Sequence, residues 1–315
     1  MRKFALVGLL CAGISAASAA NLAYVPAQLA DAVSVLDLDR MKSIATLSVG
    51  GKPAGVAIAQ QAGRAYVTSP EGKQLTIIDT ATQTVIGSVA LAGGPLGITV
   101  PLSGAPVYVA DWYTHQIYVV DPVLRRITGA VPVGHSPSGL AVSADGKLLI
   151  SADRDDDQIS LIDTQTLTVV GTIKVGARPF GVTLSADGRY AYTANVMSND
   201  VSVVDLTTRT LKTSVKVGER PYAVALIDGK AFVTNQYAGT VSVFDTADFK
   251  PLATISVGDY PEGIEALPDR HAVYVVNWGS NSVSRIDTRS LKVVATAATA
   301  DGPRGFGMFI WHQPF

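Results

Sequence analysis

Seven prolines, Pro53, Pro95, Pro137, Pro179, Pro221, Pro261 and Pro303, stand in chemically rich company. The residues before them are Lys52, Gly94, Ser136, Arg178, Arg220, Tyr260 and Gly302. Those after them are Ala54, Leu96, Ser138, Phe180, Tyr222, Glu262 and Arg304. Four cations and three aromatic rings at one recurring position suit a planar or anionic ligand. Guanidinium groups bind anions through charge and paired hydrogen bonds, and aromatic faces stack on flat rings or on bases. Trp112, Tyr113, His115, Tyr237 and Trp278 fall in nearby loops and extend the set. The competing structural explanation is a set of solvated loop charges, with the rings packing between neighbouring units.

Other residues with chemical potential are fewer. The run Asp153-Arg154-Asp155-Asp156-Asp157 places carboxylates at alternate positions, as a Ca²⁺ loop would, but without the glycine and distal glutamate of an EF-hand. A solvated acidic loop is the simpler expectation, and no metal is assigned. His115 and His135 both fall near the top face, on consecutive units. With Asp111 they are candidates for a metal or acid–base site, against a plain surface role. An enzyme of lactonase or lyase type would work from Glu262, His115 or Asp153. No phosphate-cradling glycine loop, nucleophile elbow or paired-carboxylate motif accompanies them, so no catalytic residue is assigned.

What must position these residues is a repeat. The proline steps are 42, 42, 42, 42, 40 and 42 residues. Asp37, Asp79, Asp121, Asp163, Asp205, Asp245 and Asp287 keep the same phase. So do Tyr24, Tyr66, Tyr108, Ile150, Tyr192, Phe232 and Tyr274. All three series share a two-residue deletion between Pro221 and Phe232, beside the turn Asp228-Gly229. Each unit reads as four short β segments separated by Gly, Asp and Pro, with no sustained helical period. Four strands per roughly 40-residue unit predict an all-β, seven-bladed β-propeller with antiparallel blades. The repeated Asp closes the turn between third and fourth strands. The Gly two residues after each Pro (Ala223 in one unit) allows close packing at the axis. The first unit begins at its second strand, near Ala23-Tyr24-Val25, and Pro303–Trp311 supplies its missing inner strand. The ring is therefore expected to close non-covalently and cover two sheet edges. The second and fourth strands both end at the face that carries the proline-flanking residues, which predicts a ring of side chains round the channel mouth.

Tyr66-Val67-Thr68, Tyr108-Val109-Ala110, Phe232-Val233-Thr234-Asn235 and Tyr274-Val275-Val276-Asn277, with Val-Gly-x-x-Pro-x-Gly echoes, resemble the YVTN-type propeller repeat. The resemblance covers residues 22–312. It implies a secreted or periplasmic bacterial propeller. The family includes surface-layer proteins, periplasmic binding propellers, a branch associated with DNA binding and another that accompanies quinone-cofactor-dependent catabolism.

Composition bounds the rest. The chain has 315 residues, 48% hydrophobic and 16% charged, with formal net charge −1, which excludes a disordered chain and a basic nucleic-acid coater. Met1-Arg2-Lys3, the apolar Phe4–Ile14 and the small Ser15–Ala20 read as a cleavable secretory signal over residues 1–20. Residues 21–315 are then one propeller domain. The apolar run is too short to span a bilayer, so no membrane insertion is expected. The single cysteine, Cys11, leaves with the signal, which removes thiolate chemistry and disulfides. The expected product is a periplasmic or secreted monomer. It binds an anionic small molecule, a redox cofactor, single-stranded DNA or a periplasmic protein through Lys52, Arg178, Phe180, Arg220, Tyr222, Tyr260, Glu262, Arg304, Trp112 and Trp278.

Overall fold

A computed structural model describes residues 21–312. The secretory signal expected over residues 1–20 lies outside them. The chain forms seven sheets of four antiparallel strands, the blades of a β-propeller. Blade 5 shows the common plan: Pro179–Leu184 innermost, then Tyr190–Asn195, Asp200–Asp205 and Thr210–Lys216 at the rim. Burial follows that order. Asp200–Asp205 is buried throughout, whereas Thr210–Lys216 is largely exposed. Among the described residues no helix is long and apolar enough to cross a membrane.

Each phased series has a physical task. The aromatic series is core: Tyr24, Tyr192, Phe232 and Tyr274 are almost wholly buried. The aspartates cap turns. Asp205 Oδ1 accepts the backbone N–H groups of Thr207 and Thr208, and Asp287 Oδ1 those of Arg289 and Ser290. These bonds hold both carboxyls below the usual range. The glycine after each proline faces its neighbour's backbone. A Cβ on Gly181 would lie 2.5 Å from the Tyr222 carbonyl oxygen, and one on Gly139 2.4 Å from that of Phe180. A side chain at Gly139 or Gly181 would push adjacent blades apart. The shortened sixth unit closes its first hairpin in two residues, Asp228 and Gly229, both at positive φ. That is the backbone twist a two-residue hairpin needs.

The ring closes as the repeat arithmetic implies, but less regularly. Ile310–Trp311 pairs with Leu22–Ala27 as the inner strand of blade 1. Residues 304–309 are not a regular strand, unlike the expected span Pro303–Trp311. Gly307 has φ +115°, and its Cβ position is blocked by the Val56 carbonyl. The chain here turns toward blade 2, where Val56 N–H donates to the Phe306 carbonyl at 2.9 Å. Neighbours clamp the closing segment from both sides. Glu265 Oε2 on blade 7 accepts the N–H groups of Phe309 and Ile310, the latter at 2.8 Å. Gln60 on blade 2 donates to the Ile310 carbonyl at 2.7 Å and accepts from His312 N–H. Burial pushes the Glu265 carboxyl up to about 8, against the pull of the two N–H groups.

Candidate functional site

The prolines divide the expected ring into two sets. Every Pro except Pro53 pairs with the second strand, and in the regular blades the ladder then slips by the next two residues, as between Pro179 and Val182. Of the residues after Pro, Leu96, Phe180, Tyr222 and Arg304 line the channel mouth, while Ala54, Ser138 and Glu262 are buried. The residue before Pro lies on the rim in the left-handed region: Lys52, Ser136, Arg178, Arg220 and Tyr260 have φ between 49° and 56°. This conformation costs a non-glycine residue roughly 1–2 kcal/mol. A bond repeated round the ring offsets the cost. The N–H of Lys52, Arg178, Arg220 and Gly302 donates to a side-chain oxygen of Asp31, Asp157, Asn199 and Asn281, respectively, at 2.8–2.9 Å.

His115 occupies the same acceptor position. Its Nδ1 accepts Ser136 N–H at 3.1 Å, which places its proton on Nε2. His115 is therefore part of the scaffold. His135 stands edge-on to it at 4.8 Å but pairs with Asp156 at 2.9 Å. Asp111 Oδ1 accepts three backbone N–H groups in its own loop region, those of Gly94, Tyr113 and Thr114.

The acidic loop is likewise engaged internally. Asp153 is buried and accepts from Ser151, Ser160, Gln158 and Gly134, while burial pushes its carboxyl up. Asp155 takes the Ser136 hydroxyl and Arg154, and Asp157 takes Arg178 N–H. Among the described residues no group of three His, Asp or Glu is arranged to hold a metal ion. Glu262, His115 and Asp153 each have separate partners and share no hydrogen bond.

Five of the ten candidate residues meet at the channel mouth. Phe180 lies 4.4 Å from Tyr222 and 6.4 Å from Trp112, ring centre to ring centre. Phe306, which sequence reasoning missed, completes the cluster at 5.0 Å from Phe180 and 5.7 Å from Tyr222. The rings and Arg304, with Leu96 and Tyr113, line a cleft of about 210 Å³. Arg304 lies over the Phe306 ring at 5.4 Å, and its Nε donates to Gln28. Behind it Glu262 is 1% exposed, with Oε2 3.1 Å from the Arg304 guanidinium and Oε1 2.6 Å from the Gln236 amide. Burial outweighs both favourable contacts and pushes Glu262 up to about 7. Tyr222 is pushed up to about 12, chiefly by burial and then by Glu262, with Arg304 and Arg154 opposing. Arg154, also missed, stands 5.3 Å above the Trp112 ring.

The other five candidates sit on the rim. Arg220 covers the Tyr237 ring at 4.8 Å, and Tyr237, Tyr260 and Trp278 meet edge to face in series at 6.0 and 5.9 Å. Lys52 pairs with Asp31 at 3.2 Å. Arg178 is half-exposed, 3.9 Å from Asp155. Arg178, Arg220 and Arg304 have separate partners: Arg178 lies beside Asp155, Arg220 over Tyr237 and Arg304 against Glu262. Phe306 was hidden because its place in the repeat is a core-strand position, held by Val182 and Ile264 in other units. The irregular closing segment turns it into the channel. Arg154 was masked by the acids around it.

Against known proteins, a family model described as the cytochrome D1 heme domain matches residues 144–277. That span runs from blade 4 into blade 7 and is less than half of the chain. No curated protein sequence matches. Among solved structures, Kuenenia stuttgartiensis hydrazine synthase superposes with TM-score 0.74 at 21% identity, covering 81% of this chain and 89% of that one. A functionally unknown protein from Desulfotomaculum acetoxidans gives 0.79 at 16%, covering 94% and 100%. Dihydro-heme d1 dehydrogenase NirN in complex with DHE gives 0.69 at 17%, covering 89% and 64%. At these identities the likeness carries the fold. The chain is a seven-bladed β-propeller, similar from blade 4 into blade 7 to the cytochrome D1 heme domain.

Proposed function

We propose that this chain is an exported, monomeric binding propeller that holds a small flat anion at its channel mouth. Residues 1–20 are its secretory signal and residues 21–315 its single domain, a propeller of YVTN-type repeats with the periplasm as its compartment. The observation that carries the reading is the cleft itself: five aromatic rings, with Arg304 at one wall and Arg154 over Trp112. Flat walls with a few aimed polar groups are the usual form of a small-molecule site.

The family match raises a larger ligand of the same class, a heme-type tetrapyrrole. The mouth does not fit one. The cleft lies below the roughly 300–1,000 Å³ of ordinary ligand pockets. None of the four described histidines lines it. His115 and His135 are held in their loops, the His271 ring bonds Asp228, and the backbone N–H of His312 bonds Gln60. A mono- or bicyclic aromatic carboxylate matches the space and the charge.

The test is calorimetric titration with 2-naphthoate and, separately, with hemin, beside the absorption spectrum of protein purified from its own host. Saturable one-to-one binding of 2-naphthoate and a spectrum without a heme band are expected. A stoichiometric heme band in the purified protein, or saturable hemin binding without naphthoate binding, would overturn the small-ligand reading.

A further inference from the structure

Arg304 lines the cleft, and Glu262 lies buried directly behind it. An arriving carboxylate therefore meets a guanidinium that already has a counter-ion. We propose that the cleft takes a flat carboxylate together with one proton, the ligand replacing Glu262 as counter-ion of Arg304 and the proton passing to Glu262. The inference rests on the binding reading above and names the chemistry by which that site selects its ligand.

The surroundings of Glu262 decide the point. From the closing segment it faces Arg304; from the loop after Lys230–Asn235 it faces Gln236; from the inner strand of blade 6 it faces the Tyr222 phenol. Gln236 is neutral. Tyr222 stays protonated, because burial holds its phenol far above neutrality. Arg154 acts on Tyr222 from the blade 4 loop and is engaged by Asp155. Glu265, on the same strand, is committed to the backbone of Phe309 and Ile310. Arg304 is thus the one cation among the described residues that bonds Glu262. Two carboxylates sharing one partly buried guanidinium repel each other, and the one out of water takes a proton. Glu262 is the group that does so: it is 1% exposed, and burial has already raised it close to neutrality. Gln236 can bond either form, as its amide both donates and accepts. A ligand without a negative charge gains nothing from this exchange, since it leaves the Arg304–Glu262 pair intact.

The experiment is calorimetry of the parent protein with 2-naphthoate across pH, in buffers of different ionisation heat. Above about pH 7, uptake approaching one proton per ligand is expected, with affinity falling by up to about tenfold per pH unit. Glu262→Gln should bind without pH dependence, and as tightly in alkali as the parent does in mild acid. Proton uptake in the parent is read without any variant, so a folding defect in Glu262→Gln does not blunt the test. Naphthoate binding with no proton uptake and no pH dependence would overturn this inference and leave the binding site standing. No naphthoate binding at any pH would overturn both.

Discussion

The mouth of the channel and its rim carry the same kinds of residue and do different work. Phe180, Tyr222 and Arg304 follow their prolines. Arg178, Arg220 and Tyr260 precede theirs. Two positions along the chain separate an inward from an outward side chain, because the ladder slips after Pro while the preceding residue is held left-handed. The inner rings are close-packed, with Phe180 7% exposed, whereas Tyr260 on the rim is 44% exposed. The inner charges are desolvated and coupled; the outer ones are solvated pairs of little energetic weight. Composition alone does not separate a site from a decorated surface, but backbone position does.

That contrast breaks first at Phe306. Phe306→Ala removes a nearly buried ring that packs on both Phe180 and Tyr222, and about 3–5 kcal/mol of stability should go with it. Equilibrium denaturation measures this. A loss below 1 kcal/mol would mean that the cluster is not packed as described.

Glu265 sharpens the contrast from beneath the mouth. Its carboxyl is raised from 4.5 to about 8, so the acid form favours folding. Its stabilisation is complete below pH 4.5 and is lost as pH rises through about 8. The melting temperature should therefore fall between mildly acidic and mildly alkaline buffer. Glu265→Gln should flatten that fall while still accepting the two backbone bonds. Glu265→Ala leaves the Phe309 and Ile310 N–H groups without their acceptor, at roughly 1–3 kcal/mol each. A parent whose melting temperature rises over this range would contradict the assignment.

The smallest effect belongs to the rim. Tyr237→Ala and Tyr260→Ala should each change stability by about 0.5 kcal/mol or less, the usual range for exposed positions. Larger losses would show that the rim rings brace the blades.

Much of this was legible in the sequence, because a repeat states each local rule seven times. The turn aspartates, the buried Tyr24 series and the glycines against neighbouring carbonyls all follow from phase. His115, set out from sequence as a metal or acid–base candidate against a surface role, proved to be a backbone acceptor; the signal was its step with Asp31, Asp157, Asn199 and Asn281. The site was only half legible. Pre- and post-proline residues stand two positions apart in sequence, and their separation in space depends on a backbone slip that no residue type announces. Phe306 belongs to the closing segment, the one inner strand that departs from the repeat, so its neighbours in phase point to the wrong environment. The burial of Glu262 depends on Arg304 and Gln236 arriving from two other units.

The central claim is that ligand binds at the inner mouth and not at the rim. Calorimetric titration of 2-naphthoate into the parent, Arg304→Met and the double variant Tyr260→Ala with Trp278→Phe tests it most directly. Arg304→Met should weaken binding by at least about tenfold, the scale of one lost charge-assisted hydrogen bond. The rim double variant should bind within about twofold of the parent, since exposed rim contacts contribute little. Undiminished binding by Arg304→Met, with binding lost in the rim variant, would contradict the account.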